Sequence, residues 1–109
     1  MGLKETDITK QILKMLNYIP GCMAYKHWGG PMGLKGVHDI ICCYEGRFVS
    51  IEVKSPNLKK AEYSEWQQRF ADRVKDAQGI SMCVQSPDEV IEKLGLKVKL
   101  FPLFVKSNL

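Results

Sequence analysis

At 109 residues the chain has room for one core and not for two, so 1–109 is expected to be a single domain. Hydrophobic residues make up 45% and charged residues 26%, as in ordinary globular proteins, and no apolar run approaches the roughly 18 residues of a membrane-spanning helix. Sixteen Lys and Arg against twelve Asp and Glu leave +4, a balance that permits a nucleic-acid partner without demanding one. The polar stretch Met1–Asp7 does not read as a signal peptide. Cys22, Cys42, Cys43 and Cys83 show no CxxC pair and no zinc-like spacing, and Cys42-Cys43 sit in an apolar run as small core residues. Reduced thiols in a cytoplasm are the simplest expectation.

A first helix is expected over about 4–17, where Ile8, Ile12, Met15, Leu16 and Ile19 form a stripe that Pro20-Gly21 ends. Cys22–Trp28 is a short strand candidate. The loop Gly29–Gly36 follows, rich in glycine but without the GxxxxGK[ST] spacing of a nucleotide-binding loop. Val37–Tyr44 and Arg47–Lys54 read as two strands joined across Glu45-Gly46. Ser55-Pro56-Asn57 stops the second of them. A long helix is expected from about Ser64 to Gln78 with Gly79 as its cap, then a strand over Ile80–Gln85. Ser86 and Glu89 form a capping-box pattern for a helix over Pro87–Leu94. Lys97–Val105 alternates and then turns fully apolar, a further strand candidate. The order α-β-β-β-α-β-α-β predicts an α/β fold, a mixed sheet flanked by helices.

The hairpin carries the chemistry. With Glu45-Gly46 as a two-residue loop, Tyr44 faces Arg47 and Asp39 falls opposite Glu52, their Cα atoms about 4.5–5.5 Å apart on one face. Lys54, two residues on, shares that face. A three-residue loop with Gly46 as a bulge puts Glu52 on the other face, and a four-residue loop restores the alignment; Glu-Gly is not the preferred pair for the tight turn. Two carboxylates this close repel unless a proton or a cation intervenes. Their oxygens suit Mg²⁺ or Mn²⁺, with positions left for water and phosphate, and Lys54 can orient a water or offset charge. Taken alone, Glu-x-Lys is common on solvent-facing strands and Asp39 reads as an exposed strand end.

On the long helix Tyr63, Phe70 and Val74 mark an apolar face, and Gln67 falls within it. A polar residue there needs a partner. One reading gives it the metal site or its water; the other makes Ser64-Glu65-Trp66-Gln67 a capping box in which Gln67 bonds back to Ser64. Both stand.

Gly36-Val37-His38-Asp39, Gly46–Lys54, Tyr63–Gln67 and Gly79 together resemble the virus-type replication-repair nuclease (VRR-NUC) domain, a branch of the PD-(D/E)xK nucleases, over roughly 5–87. The resemblance implies a restriction-endonuclease-like α/β/α core and hydrolysis of a DNA phosphodiester. It implies that Asp39, Glu52 and the backbone carbonyl of Val53 hold Mg²⁺ or Mn²⁺, with Lys54 and Gln67 assisting. Glu5 matches an acidic residue that supports the metal in many members; alternatively it is a favourable charge in a helix's first turn. The family usually has proline before the metal-binding aspartate, where this chain has His38, expected to be a bystander. Stand-alone members resemble Holliday-junction resolvases, so a homodimer acting on branched DNA is expected, with Leu100–Val105 as its interface or as an edge strand covering the core.

Lys26, His27 and Lys35 flank the glycine loop leading into Asp39 and are the better candidates for phosphate contacts; Lys59, Lys60, Arg69 and Arg73 are others. Less selective cleavage of duplex or single strands, a non-catalytic DNA-binding scaffold and an RNA-directed hydrolase are the competing readings.

Overall fold

The structure, a computed structural model, describes residues 4–96. Helix α1 (Glu5–Tyr18) is followed by strands β1 (Cys22–Lys26), β2 (Ile40–Tyr44) and β3 (Arg47–Val53). Helix α2 (Glu65–Asp76), strand β4 (Ile80–Val84) and helix α3 (Pro87–Leu94) complete the described chain. The strands lie in the order β1-β2-β3-β4, antiparallel across the first two junctions and parallel between β3 and β4. The fold is therefore α/β with a mixed sheet, as the element order leads one to expect.

Alternation along β3 divides the molecule into layers. Val49, Ile51 and Val53 point to one face, where they pack with Ile40, Cys42, Met82 and Val84 against Ile8, Ile12, Met15 and Leu16 of α1 and Val90 of α3. The helical stripe thus does what its spacing implies, with α1 and α3 in contact on this side. Ser50 and Glu52 point to the opposite face, where α2 lies across β3 and β4 and buries Ala71 and Val74. Asn17 fastens α1 to the outer strand: its side-chain amide donates to the Ala24 carbonyl and accepts from the Ala24 N–H, both at 2.9 Å. The outward backbone groups of Ala24 on β1 are satisfied in this way.

Two strand boundaries contract by more than one residue relative to expectation. The strand expected over Val37–Tyr44 starts only at Ile40, because Gly36 through Asp39 bend to pack against the start of α2. The strand expected over Cys22–Trp28 ends at Lys26, where the chain turns into the glycine loop. The cap of α2 also differs. Gln78, not Gly79, takes the left-handed position (φ 72°), with Gln78 N–H bonded to Lys75 and Gly79 N–H to Val74 in a Schellman arrangement. Gly79 is needed for another reason: a Cβ there would stand 2.8 Å from Val74 Cγ1 and 2.9 Å from the Phe48 carbonyl.

All four cysteines are free thiols, but only Cys42 is buried in the core. Cys43 is exposed, contrary to its expected core position, because it faces the side of the sheet that α2 does not reach at β2. Among the described residues no helix is long and apolar enough to cross a membrane. The expected strand or interface over Lys97–Val105 lies outside the described residues.

Candidate active site

Strands β2 and β3 pair in the two-residue register, with Tyr44 opposite Arg47 and Ile40 opposite Ile51. Glu45 (φ 50°) and Gly46 (φ 83°) both take the left-handed conformation that a tight hairpin turn requires, so Glu-Gly serves as the turn despite its composition. One step beyond the last pair, Asp39 reaches Glu52 as the register dictates. The Asp39 N–H donates to Glu52 Oε1 at 3.3 Å, and Asp39 Oδ2 accepts the Val53 N–H at 2.9 Å.

From α2, Gln67 closes the cluster. Its Nε2 donates to Glu52 Oε2 at 2.9 Å, and its Oε1 accepts from Lys54 Nζ at 2.9 Å. The same Oε1 accepts the Ser64 N–H at 2.9 Å, while the Gln67 N–H donates to Ser64 Oγ at 3.3 Å. The capping box and the site contact, posed as alternatives by the sequence, are one arrangement. Lys54 Nζ lies 3.4 Å from Glu52 Oε2, both side chains largely buried. Asp39, Glu52, Lys54 and Gln67 are thus joined in one hydrogen-bonded group.

Burial first, and the Asp39 charge second, push the Glu52 carboxyl up to about 7; Lys54 offsets this only in part. An acid held near neutrality by a second carboxylate is relieved by a proton or by a cation. Within a strand the N–H and C=O of one residue point to the same side, so the Val53 carbonyl is directed to the side on which Asp39 takes the Val53 N–H. Two carboxylates and a carbonyl, all oxygen donors, form a set that fits Mg²⁺ or Mn²⁺, which commonly use one or two carboxylates and keep other positions for water and phosphate.

No protein-family model, curated protein or solved structure matches this chain. The geometry of the site therefore carries the functional argument.

Of the remaining metal and phosphate candidates only His27 is bonded to this group among the described residues. His27 is tied to Asp39 through the backbone, its N–H donating to the Asp39 carbonyl at 2.8 Å. Lys26 Nζ lies 4.9 Å from the centre of the Trp28 ring, and Lys35 Nζ 5.0 Å from that of Trp66. Glu5 is exposed in the first turn of α1, where its carbonyl accepts from Thr9. Among the described bonds none links its carboxylate to Asp39 or Glu52. The helix-terminus role is what Glu5 visibly fills, with Asp7 beside it in the same turn.

His38 is not idle. It is fully buried, stacked on Tyr63 with ring centres 4.8 Å apart and edge-on to Phe70 at 4.9 Å. Its Nε2 lies 3.0 Å from the Gln67 carbonyl, which can only accept, so Nε2 carries the proton. Nδ1 then accepts from Ser81 Oγ at 3.4 Å, and Ser81 Oγ in turn accepts from Ser50 Oγ and Tyr63 Oη, each at 3.0 Å. Ser81 so uses its one donor and both lone pairs. Burial above all holds the His38 pKa below its ordinary value. This network anchors Gln67 from behind, and complete burial keeps the His38 ring away from the surface. The sequence signal was the polar residues Ser50 and Ser81 alternating onto the same inward face as Glu52.

Proposed function

We propose that this chain is a divalent-metal-dependent DNA endonuclease of the VRR-NUC type. The supporting observation is the single hydrogen-bonded group formed by Asp39, Glu52, Lys54 and Gln67. Asp39, Glu52 and the Val53 carbonyl would hold Mg²⁺ or Mn²⁺. Such an ion supplies Lewis-acid neutralisation of charge on a phosphate and makes water a nucleophile at neutral pH.

The chain's own groups do the rest. Asp39 is fixed by the Val53 N–H and Glu52 by the Asp39 N–H and the Gln67 amide, so neither carboxylate has to be ordered when a substrate arrives. Lys54 presents an ammonium steered by Gln67 Oε1, placed to donate to an attacking water or to a phosphate oxygen as charge develops there. Gln67 positions both Glu52 and Lys54. A centre of this kind cuts one strand, so paired cuts in branched DNA call for two copies, and a homodimer acting on junctions is the form we propose.

Cleavage of a four-way junction, a flap and a linear duplex with Mg²⁺ or Mn²⁺, alongside sedimentation of the protein alone, tests this reading. Paired junction cuts by a dimer support it in full. Equal cutting of all three DNAs keeps the chemistry and discards junction selectivity. Binding of DNA with no cutting in either metal makes the chain a scaffold instead.

A further inference from the structure

Both tryptophans of the chain are exposed, Trp28 at 79% and Trp66 at 49%, and each is next in sequence to a residue bonded to the proposed centre. Trp28 follows His27, whose N–H holds the Asp39 carbonyl; Trp66 precedes Gln67, whose side chain holds Glu52 and Lys54. Each ring is attended by cations: Lys26 at Trp28, and Lys35 and Arg69 at Trp66, all at 4.9–5.0 Å from the ring centre. The glycine loop that follows Trp28 exposes Met32 at 97% and Leu34 at 57%. A groove of about 320 Å³ opens beside Trp66, lined by Leu34, Lys35, Trp66, Arg69, Phe70 and Arg73.

Large exposed apolar side chains cost solubility and bring a lone folded chain little; a cation over an exposed ring contributes only about 0.5–1 kcal/mol. Phosphate contacts alone would need the cations and not the rings. Rings alternating with cations suit a strand whose bases are unpaired, each base offering a face to stack and each linkage a negative charge. A duplex hides those faces. We propose that Trp28 and Trp66 form a single-stranded DNA platform beside the active centre, with Lys26, Lys35, Arg69 and Arg73 taking the phosphates. Arg69 now pairs with Glu65 at 2.7 Å in the open, an exposed contact that a phosphate can replace. This rests on the nuclease reading and narrows its substrate to DNA carrying an unpaired segment, such as a flap or an opened junction.

The two tryptophans are the chain's only ones, so their emission reports on the platform directly. The full chain is titrated in EDTA with oligothymidylate and, separately, with a blunt duplex of equal length. Oligothymidylate is expected to quench emission in the wild type and in each of Trp28→Phe and Trp66→Phe, and the duplex to quench much less. Trp66→Ala and Trp28→Ala, with far-UV circular dichroism as the check of folding, should each lose at least about fivefold in affinity for oligothymidylate. Duplex affinity should stay within about twofold, because phosphate contacts dominate it. Unchanged emission with oligothymidylate, or equal losses on both DNAs, overturns the platform. Since these titrations need no metal, they fail independently of the nuclease reading: a quenched protein that never cuts refutes only the nuclease, and an unquenched one that cuts refutes only the platform.

Discussion

Gln67 and Glu52 are joined by a hydrogen bond of 2.9 Å that connects the first turn of α2 to the buried face of β3. The other end of the Gln67 amide accepts from both Lys54 and Ser64, so one side chain caps a helix and orders an ion pair. Helix position and site geometry are therefore set by the same bonds.

Separating those two roles calls for paired variants. Ser64→Ala removes the cap's hydroxyl and should cost about 1 kcal/mol, or a few degrees in melting temperature, with cleavage per folded molecule little changed. Gln67→Ala should cost at least as much stability and also lower the cleavage rate by at least about tenfold, since Glu52 and Lys54 lose their common partner. Thermal melts and single-turnover rates distinguish the pair; equal rates in both variants would confine Gln67 to the cap.

His38 should matter to folding more than to chemistry. His38→Ala opens a cavity between Tyr63 and Phe70 and strands the Gln67 carbonyl and the Ser81 hydroxyl, at a cost of about 2–4 kcal/mol. Urea unfolding measures it. A loss below about 0.5 kcal/mol would mean that the network is dispensable.

The metal-free protein should show two opposed pH responses. The Glu52 carboxyl is raised from 4.5 to about 7, so between those values the folded state binds more protons than the unfolded chain, and stability is lost as pH rises through that window. His38 is lowered from 6.5, so the unfolded chain takes the proton first, and stability is lost as pH falls below about 6.5. In EDTA, His38→Phe should therefore become less stable from pH 5 to pH 7, and Glu52→Gln should become less stable from pH 7 to pH 5. Urea midpoints at pH 5, 6, 7 and 8 read both slopes. Slopes of the same sign in the two variants would contradict the assignment.

Gly36 is fixed by contact rather than by the turn alone. Its φ is 78°, and a Cβ there would collide with the Trp66 carbonyl at the start of α2. Gly46 has a similar φ of 83° but open space around it. Gly46→Asn should consequently be tolerated within about 1 kcal/mol, whereas Gly36→Ala should cost at least about 2 kcal/mol and displace α2 from Glu52. Melting temperatures of the two variants provide the comparison.

Much of the arrangement could be read in the sequence because it depends on short-range rules. The two-residue hairpin register that pairs Tyr44 with Arg47 also carries Asp39 to Glu52, and a period-two strand then fixes which residues face α2. Pro87–Leu94 was legible because Ser86 and Glu89 form a local capping signal. What escaped depends on packing between distant segments. The alternation of Ser50 and Ser81 hints at a buried polar partner, but no local pattern reveals that Tyr63 and Phe70 will enclose His38. Cys43 looks like Cys42 until the reach of α2 is known, and the left-handed cap falls on Gln78 because Gly79 is required against Phe48.

The most direct measurement is cleavage of labelled DNA by the purified chain and by Asp39→Ala and Lys54→Ala in Mg²⁺ or Mn²⁺, with EDTA as control. Metal-dependent cuts by the wild type, reduced at least about 100-fold in both variants, are the predicted result. Cutting that survives either substitution, or a folded wild type that cuts no DNA in either metal, would contradict the account.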